Sequence, residues 1–229
     1  WVAVAGVVAY MFLPLIVGGL AEEFGFTPAE LGFIGAAEAG GMGIANAIAV
    51  FLVRKINWRS AIFVSSSVMV AANFCSMQVS GFAELLGLRL VDGFAGGILI
   101  AVGIACQSDN RNSGRVFGYF VACEMLLASI GFLVLPRLQL QFGVDAIFLV
   151  MMIVAASGAG VAVLHPKSGL DVRHPNISSN TKGVGFNVWI TSMAGALLFF
   201  TSQGGLWAFV ERIGVSSGVA SDVLAFALS

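Results

Sequence analysis

Eight apolar runs fill almost the whole chain, and their length limits what it can fold into more than any other feature. They lie at about residues 2–21, 30–53, 60–79, 82–106, 116–136, 145–164, 185–209 and 217–229. A bilayer core about 30 Å thick is crossed by about 20 mostly apolar residues rising 1.5 Å each. The composition agrees: 59% of residues are hydrophobic and 10% charged, with a mean hydropathy of +0.97. A soluble domain of 229 residues needs more charge than this to keep its surface wet. The chain is therefore expected to be an all-α membrane protein, a polytopic helical bundle whose solvent is mostly lipid.

The ends read as cuts. Trp1 stands at the edge of the first run, and Ser229 falls about half a span into the last. The first run lacks the basic leader and small-residue cleavage site of a signal peptide, and its Pro14 and Gly18-Gly19 suit a working helix. The expected object is a fragment of a longer protein.

Loop charge sets the orientation. One set of alternate loops holds Arg54, Lys55, Arg59, Arg111, Arg115, Lys167, Arg173 and Lys182; the other holds Arg137 and Arg212. Lys and Arg accumulate on the cytoplasmic side. The first span then runs outward, with the N-terminus cytoplasmic and Glu22, Glu23 and Glu30 outside. The longest loop, 165–184, is polar, carries Pro166 and Pro175, and falls after six spans on the cytoplasmic side. It divides an N-terminal six-helix bundle (1–164) from the start of a second bundle (185–229). The first bundle divides again into three-span units, 1–79 and 82–164, whose odd span number requires opposite topology, as in the inverted repeats of secondary transporters.

Six spans, a long cytoplasmic loop and further spans resemble the major facilitator superfamily, and three local stretches strengthen the likeness. Arg54-Lys55-Ile56-Asn57-Trp58-Arg59 follows span two where that family carries a Gly-x-x-x-Asp-Arg-x-Gly-Arg-Arg loop. It is similar in basic character and length, with Arg54 and Asn57 standing at the places of a glycine and an acid. Arg89-Leu90-Val91-Asp92-Gly93 fits the Arg-x-x-x-Gly of span four, and Gly131 to Pro136 is a version of the Gly- and Pro-containing end of span five. The resemblance implies about eight spans of twelve, in a monomeric transporter whose bundles rock about a central site lined by spans one, four and seven.

Ionisable residues inside spans cost about 2.5–3.5 kcal/mol each on insertion scales and face the bundle interior or a wet cavity, so each is a candidate site. Glu38 in span two and Arg89 in span four lie about 10–14 Å below the outer surface by helical rise. They can pair, and Asp92, one turn from Arg89, competes for it. The pair is either a static brace or part of a working site. Glu124 lies near mid-depth in span five among Val, Ala, Cys, Met and Leu, with no basic residue nearby in sequence. An acid there that is neutral in one state and ionised in another is what proton coupling requires, so Glu124 and Glu38 are the proton-coupling candidates. Span seven offers Gln203, beside Gly204-Gly205, and Trp207 as solute-binding candidates. For Trp207 and Phe209 the plainer reading is an aromatic belt at the interface, and Glu211 and Arg212 are placed just outside the membrane. Asn46 and Asn73 read as helix–helix hydrogen bonds. Ala36, Gly40, Gly43 and Ala47 in span two and Gly93 and Gly97 in span four form small-residue stripes for close helix packing.

Several classes are excluded. The net charge of −1 offers nothing to nucleic acid. Cys75, Cys106 and Cys123 lack metal or redox spacing, and no phosphate-binding Gly-x-x-x-x-Gly-Lys loop is present. His165 and His174 both lie in the central loop, and no span interior holds a Lys, so haem and Schiff-base chemistry have no residue to use. No cofactor, metal or enzymatic activity is expected. The reading is a secondary transporter in the plasma membrane (the inner membrane if bacterial), moving a small neutral or amphipathic solute by alternating access. It is proton-coupled and exports rather than imports. A non-transporting channel or receptor-like sensor is the other reading, but no repeated pore motif or ring of like charges supports it. The topology is testable in a background without native cysteines. A cysteine at Ser179 should resist an impermeant thiol reagent in intact cells, and one at Gln139 should react; labelling of Ser179 from outside would overturn the orientation.

Overall fold

The computed structural model describes residues 1–169, 186–219 and 221–228. Among them the order is α1 (Val2–Met11), α2 (Leu13–Phe24), α3 (Pro28–Leu52), α4 (Trp58–Ser76), α5 (Phe82–Ser108), α6 (Ser113–Phe142), α7 (Asp145–Val161) with a 3-10 turn at Ala162–Leu164, α8 (Phe186–Ser216) and α9 (Ser221–Leu228). No strand occurs among the described residues. Most of the 165–184 loop lies outside them. By length and apolarity α3, α5, α6 and α7 can each span a membrane.

The first span is a bent pair rather than one helix. α1 and α2 meet at Phe12 with a 41° bend and make a fifth span only together. Pro14 explains it: with no N–H, proline cannot bond the carbonyl four residues back, that of Tyr10. α4 corresponds to the expected span 60–79 but is the least apolar of the long described helices. Its Ser65, Ser66, Asn73 and Ser76 are buried, turned inward against α5 and α7. α6 runs six residues past the expected end at Pro136, which it carries within the helix. Gln139 is therefore helical and half-buried, donating from its side chain to the Leu15 carbonyl at 3.3 Å, and Leu140, 89% exposed, is the better labelling position.

Local chemistry sets the helix ends. Thr27 caps α3 in a reciprocal box with Glu30: the Glu30 N–H donates to the Thr27 hydroxyl at 3.3 Å and the Thr27 N–H to the Glu30 carboxylate at 2.8 Å. α2 stops at Gly25, whose φ of 67° suits glycine. Glu23 then accepts the Val144 N–H at 2.8 Å, satisfying a donor at the start of α7. These contacts gather at one end of the bundle, here the acidic end. At the opposite, basic end Arg54 pairs with Asp109 at 2.7 Å, the Trp58 N–H donates to the Lys167 carbonyl at 2.8 Å, and Arg59 donates to the His165 carbonyl at 2.6 Å. The root of the long loop is thus tied to the α3–α4 turn.

The tightest packing is α3 on α5. A Cβ at Gly93 would collide with the Glu38 carbonyl, and one at Gly41 with the Leu90 carbonyl. A Cβ at Gly97 would come within 2.7 Å of the Met42 carbonyl. Gly93 and Gly97 therefore work as the sequence suggests. The stripe read on α3 does not: Ala36, Gly40, Gly43 and Ala47 are exposed, and the face against α5 is Ile34, Glu38, Gly41 and Ala45. Two stripes of equal spacing lie side by side on α3, and the buried charge of Glu38 selects the inner one. α1 crosses the other side of α5, where Gly6 and Gly96 let backbones approach: a Cβ on Gly96 would lie 2.5 Å from the Gly6 carbonyl. Gly93→Ala is expected to cost about 1–3 kcal/mol through overpacking, lowering the thermal unfolding temperature in detergent. Gly40→Ala, whose Cβ would meet nothing within 4 Å, should leave that temperature unchanged or raise it. Equal behaviour of the two variants would contradict the α3–α5 contact.

Candidate functional site

The sequence candidates Glu38, Arg89 and Asp92 meet in one buried cluster. Arg89 and Asp92 come from neighbouring turns of α5, Glu38 from α3, and Asn73 and Ser76 from α4; none is more than 2% exposed. Arg89 Nη1 lies 3.4 Å from Asp92 and 3.7 Å from Glu38, so both proposed partners attend it and Asp92 is the nearer. Arg89 Nη2 donates to Ser76 Oγ at 2.8 Å and to Asn73 Oδ1 at 3.2 Å. Asn73 Nδ2 donates to Asp92 Oδ1 at 2.7 Å and to the Met69 carbonyl at 2.9 Å. The Phe148 ring of α7 covers the guanidinium, its centroid 5.0 Å from Arg89 Cζ, in cation–π range. Asn73, read from sequence as a helix–helix hydrogen bond, makes one from α4 to α5 and bridges the two charges. Asn46, read the same way, instead bonds within its own helix, donating to the Met42 carbonyl at 2.9 Å.

Glu124 lies apart from this cluster. It is half-buried on α6, about 16 Å along the helix from its first residue by helical rise. Its face is that of Leu127, Ala128 and Gly131, of which the first two pack on the core and the third meets the Phe12 ring. Among the described residues Glu124 has no hydrogen-bond or ion-pair partner. The two acids held as proton candidates thus differ in kind: Glu38 is sealed beside an arginine, and Glu124 is unpaired and partly open.

α8 reaches the six-helix body through the segment that holds the other candidates. Trp207 Nε1 donates to the Tyr10 carbonyl at 3.2 Å, an oxygen that lacks the N–H Pro14 would have supplied but still accepts a backbone N–H at the end of α1. Its ring meets Phe132 edge-on at 5.7 Å, and Phe132 meets Phe12 at 6.2 Å. Trp207 is therefore a clasp between α8 and the bend of the first span, not a residue of an outward belt. Phe209, expected in that belt, also packs on the core, next to Gly32. Gln203 is exposed, one position before Gly204, where a Cβ would stand 3.3 Å from the Tyr10 hydroxyl. Glu211 is not outside the bundle: a Cβ at Gly18 would lie 2.9 Å from its carboxylate. With Glu22, Glu23, Arg137 and Gln139 it lines a cleft of about 580 Å³ at the acidic end, between α2, α6, α8 and α9. Tyr10, Phe132 and Phe148 were not singled out in the sequence. Pro14 could have pointed to Tyr10; nothing local marks Phe148.

Apolar helices around an ionic cluster, with a kinked first span clasped by a later helix, define a polytopic α-helical membrane protein. The family model described as Major Facilitator Superfamily matches residues 2–229, and the chain belongs to that superfamily. No individually curated protein matches it at a significant level. Membership makes it, in general terms, a secondary transporter acting in a membrane on small solutes.

Proposed function

We propose that the chain is part of a proton-coupled secondary transporter that exports a small neutral or amphipathic solute by alternating access. The observation that carries this reading is Glu124: a partly open carboxyl without a partner among the described residues, near the middle of a 30-residue apolar helix. A coupling group must meet water or solute in one state and be enclosed in another, and a half-buried acid on the face turned to the bundle is suited to both. Glu38 is the second candidate, with its Arg89 contact. The solute would meet the face of α8 that bears Gln203 and the Trp207 edge, and the bend at Phe12 would let α2 move with α8 while α1 stays packed on α5. The scarcity of fixed charge along the spans favours a solute without strong charge. Orientation follows loop charge, with the basic end and the 165–184 loop in the cytoplasm and the acidic cleft outside. We place the protein in the plasma membrane as a monomer, with residues 1–164 as one bundle built from two inverted three-span units.

Glu124→Gln keeps the size of the side chain and fixes it in the neutral form. In proteoliposomes bearing the full-length protein, this variant should still exchange solute across the membrane. It should lose accumulation driven by a pH gradient. Full gradient-driven accumulation would remove Glu124 from the coupling role.

A further inference from the structure

The buried cluster is unbalanced. Two carboxyls, Glu38 and Asp92, surround one guanidinium, Arg89, and all three are at most 1% exposed. From α5 Glu38 faces Arg89 and Asp92, and α4 adds only the neutral Asn73 and Ser76 to the cluster. α1, α2 and α8, which also touch α3, bring no charged group to Glu38 among the described residues. α7 contributes the Phe148 ring. With both acids ionised the site carries a net negative charge in a medium that solvates it poorly. With one proton added it is neutral.

The geometry also distinguishes the two acids. Asp92 has the contacts of a carboxylate: a 2.7 Å hydrogen bond from Asn73 to one oxygen and Arg89 at 3.4 Å from the other. Neither oxygen of Glu38 accepts a hydrogen bond, and its one cation is 3.7 Å away. A buried carboxylate without donors is costly, whereas a neutral acid needs one acceptor, and the Asp92 carboxylate beside it is that acceptor. A proton on Glu38 turns a repulsive approach into a hydrogen bond. The enclosure is rigid as well: Gly93 packs directly on the Glu38 backbone, Gly41 on that of Leu90, and Phe148 closes the side of α7.

We propose that Glu38, Asp92 and Arg89 form a one-proton site, with the proton on Glu38 and donated toward Asp92, and that this proton is retained as part of the bundle rather than carried across the membrane. The first half stands on the cluster alone. The second rests on the reading of proton-coupled transport and leaves Glu124 as the exchanging acid.

Infrared difference spectroscopy on the full-length protein in lipid tests both halves, using a Glu124→Gln background so that the other membrane acid does not contribute. Subtracting the spectrum of Glu38→Gln should reveal the loss of one protonated-carboxyl carbonyl band. That band should persist across the pH range in which the protein stays folded, and should shift only slowly in D₂O. Asp92→Asn leaves one acid for one arginine, so it should convert Glu38 to the carboxylate and remove the same band. Loss of an ionised carboxylate band in Glu38→Gln would overturn the one-proton site. A protonated band that titrates, or that shifts at once in D₂O, would overturn retention. None of these readings depends on solute movement, so a failure of the transport assignment would be seen separately.

Discussion

A guanidinium sealed among apolar helices is the constraint on which the six-helix body depends. At an effective dielectric of about 20, a unit charge pair at 4 Å interacts by about 4 kcal/mol, and an unmatched charge forfeits that. Arg89 is met by Asp92, Glu38, Asn73, Ser76 and the Phe148 face, its Nε alone lacking a hydrogen bond among the described residues, and those partners come from four helices. Satisfying one side chain fixes the relative rotation of α3, α4, α5 and α7. The glycines then let α3 and α5 come close enough for the contact to form. Charge decides which faces meet, and small residues decide how near they come.

The second constraint is a missing donor. Pro14 bends the first span and removes one donor from the Tyr10 carbonyl, which a backbone N–H at the end of α1 and the indole N–H of Trp207 serve instead. In lipid such a carbonyl needs a partner within the protein. The bend is therefore both a break in a helix and a docking point for α8. The aromatic file Phe12, Phe132, Trp207 lies across it. α1 stays with α5 and α7 while α2 goes with α8, so one span belongs to two packing groups. A division of that kind suits a fold whose bundles must move against each other.

Much of this was legible in the sequence because apolar run length and loop charge report on the bilayer directly. Six of the expected spans begin and end within a few residues of α3 to α8 apart from two extended ends, where α6 continues to Phe142 and α8 to Ser216. The meeting of Arg89, Asp92 and Glu38 was also legible, since a charge in a span must find a partner. What pattern could not give was choice among equals. The two small stripes on α3 have the same period, and only the position of Glu38 separates them. Trp207 and Phe209 suit an interface in composition, and only the bend at Phe12 shows that they face inward. α4 is rich in serine, and the packing turns Ser65, Ser66 and Ser76 toward α5 and α7 while Ser60 and Ser67 stay exposed. Phe148 acts through a distant helix and leaves no local signal.

The central claim is that Arg89 and its carboxylate organise the body of the protein, and a double-substitution cycle tests it most directly. Removing one member of a buried pair costs roughly 3–5 kcal/mol because the other charge is left behind. Arg89→Ala should sharply lower the yield of folded, monodisperse protein and its unfolding temperature. Adding Asp92→Asn should restore much of both, and adding Glu38→Gln should restore little, because Asp92 holds the charge. An Arg89→Ala protein as stable as the wild type, or one that neither second change improves, would contradict the account.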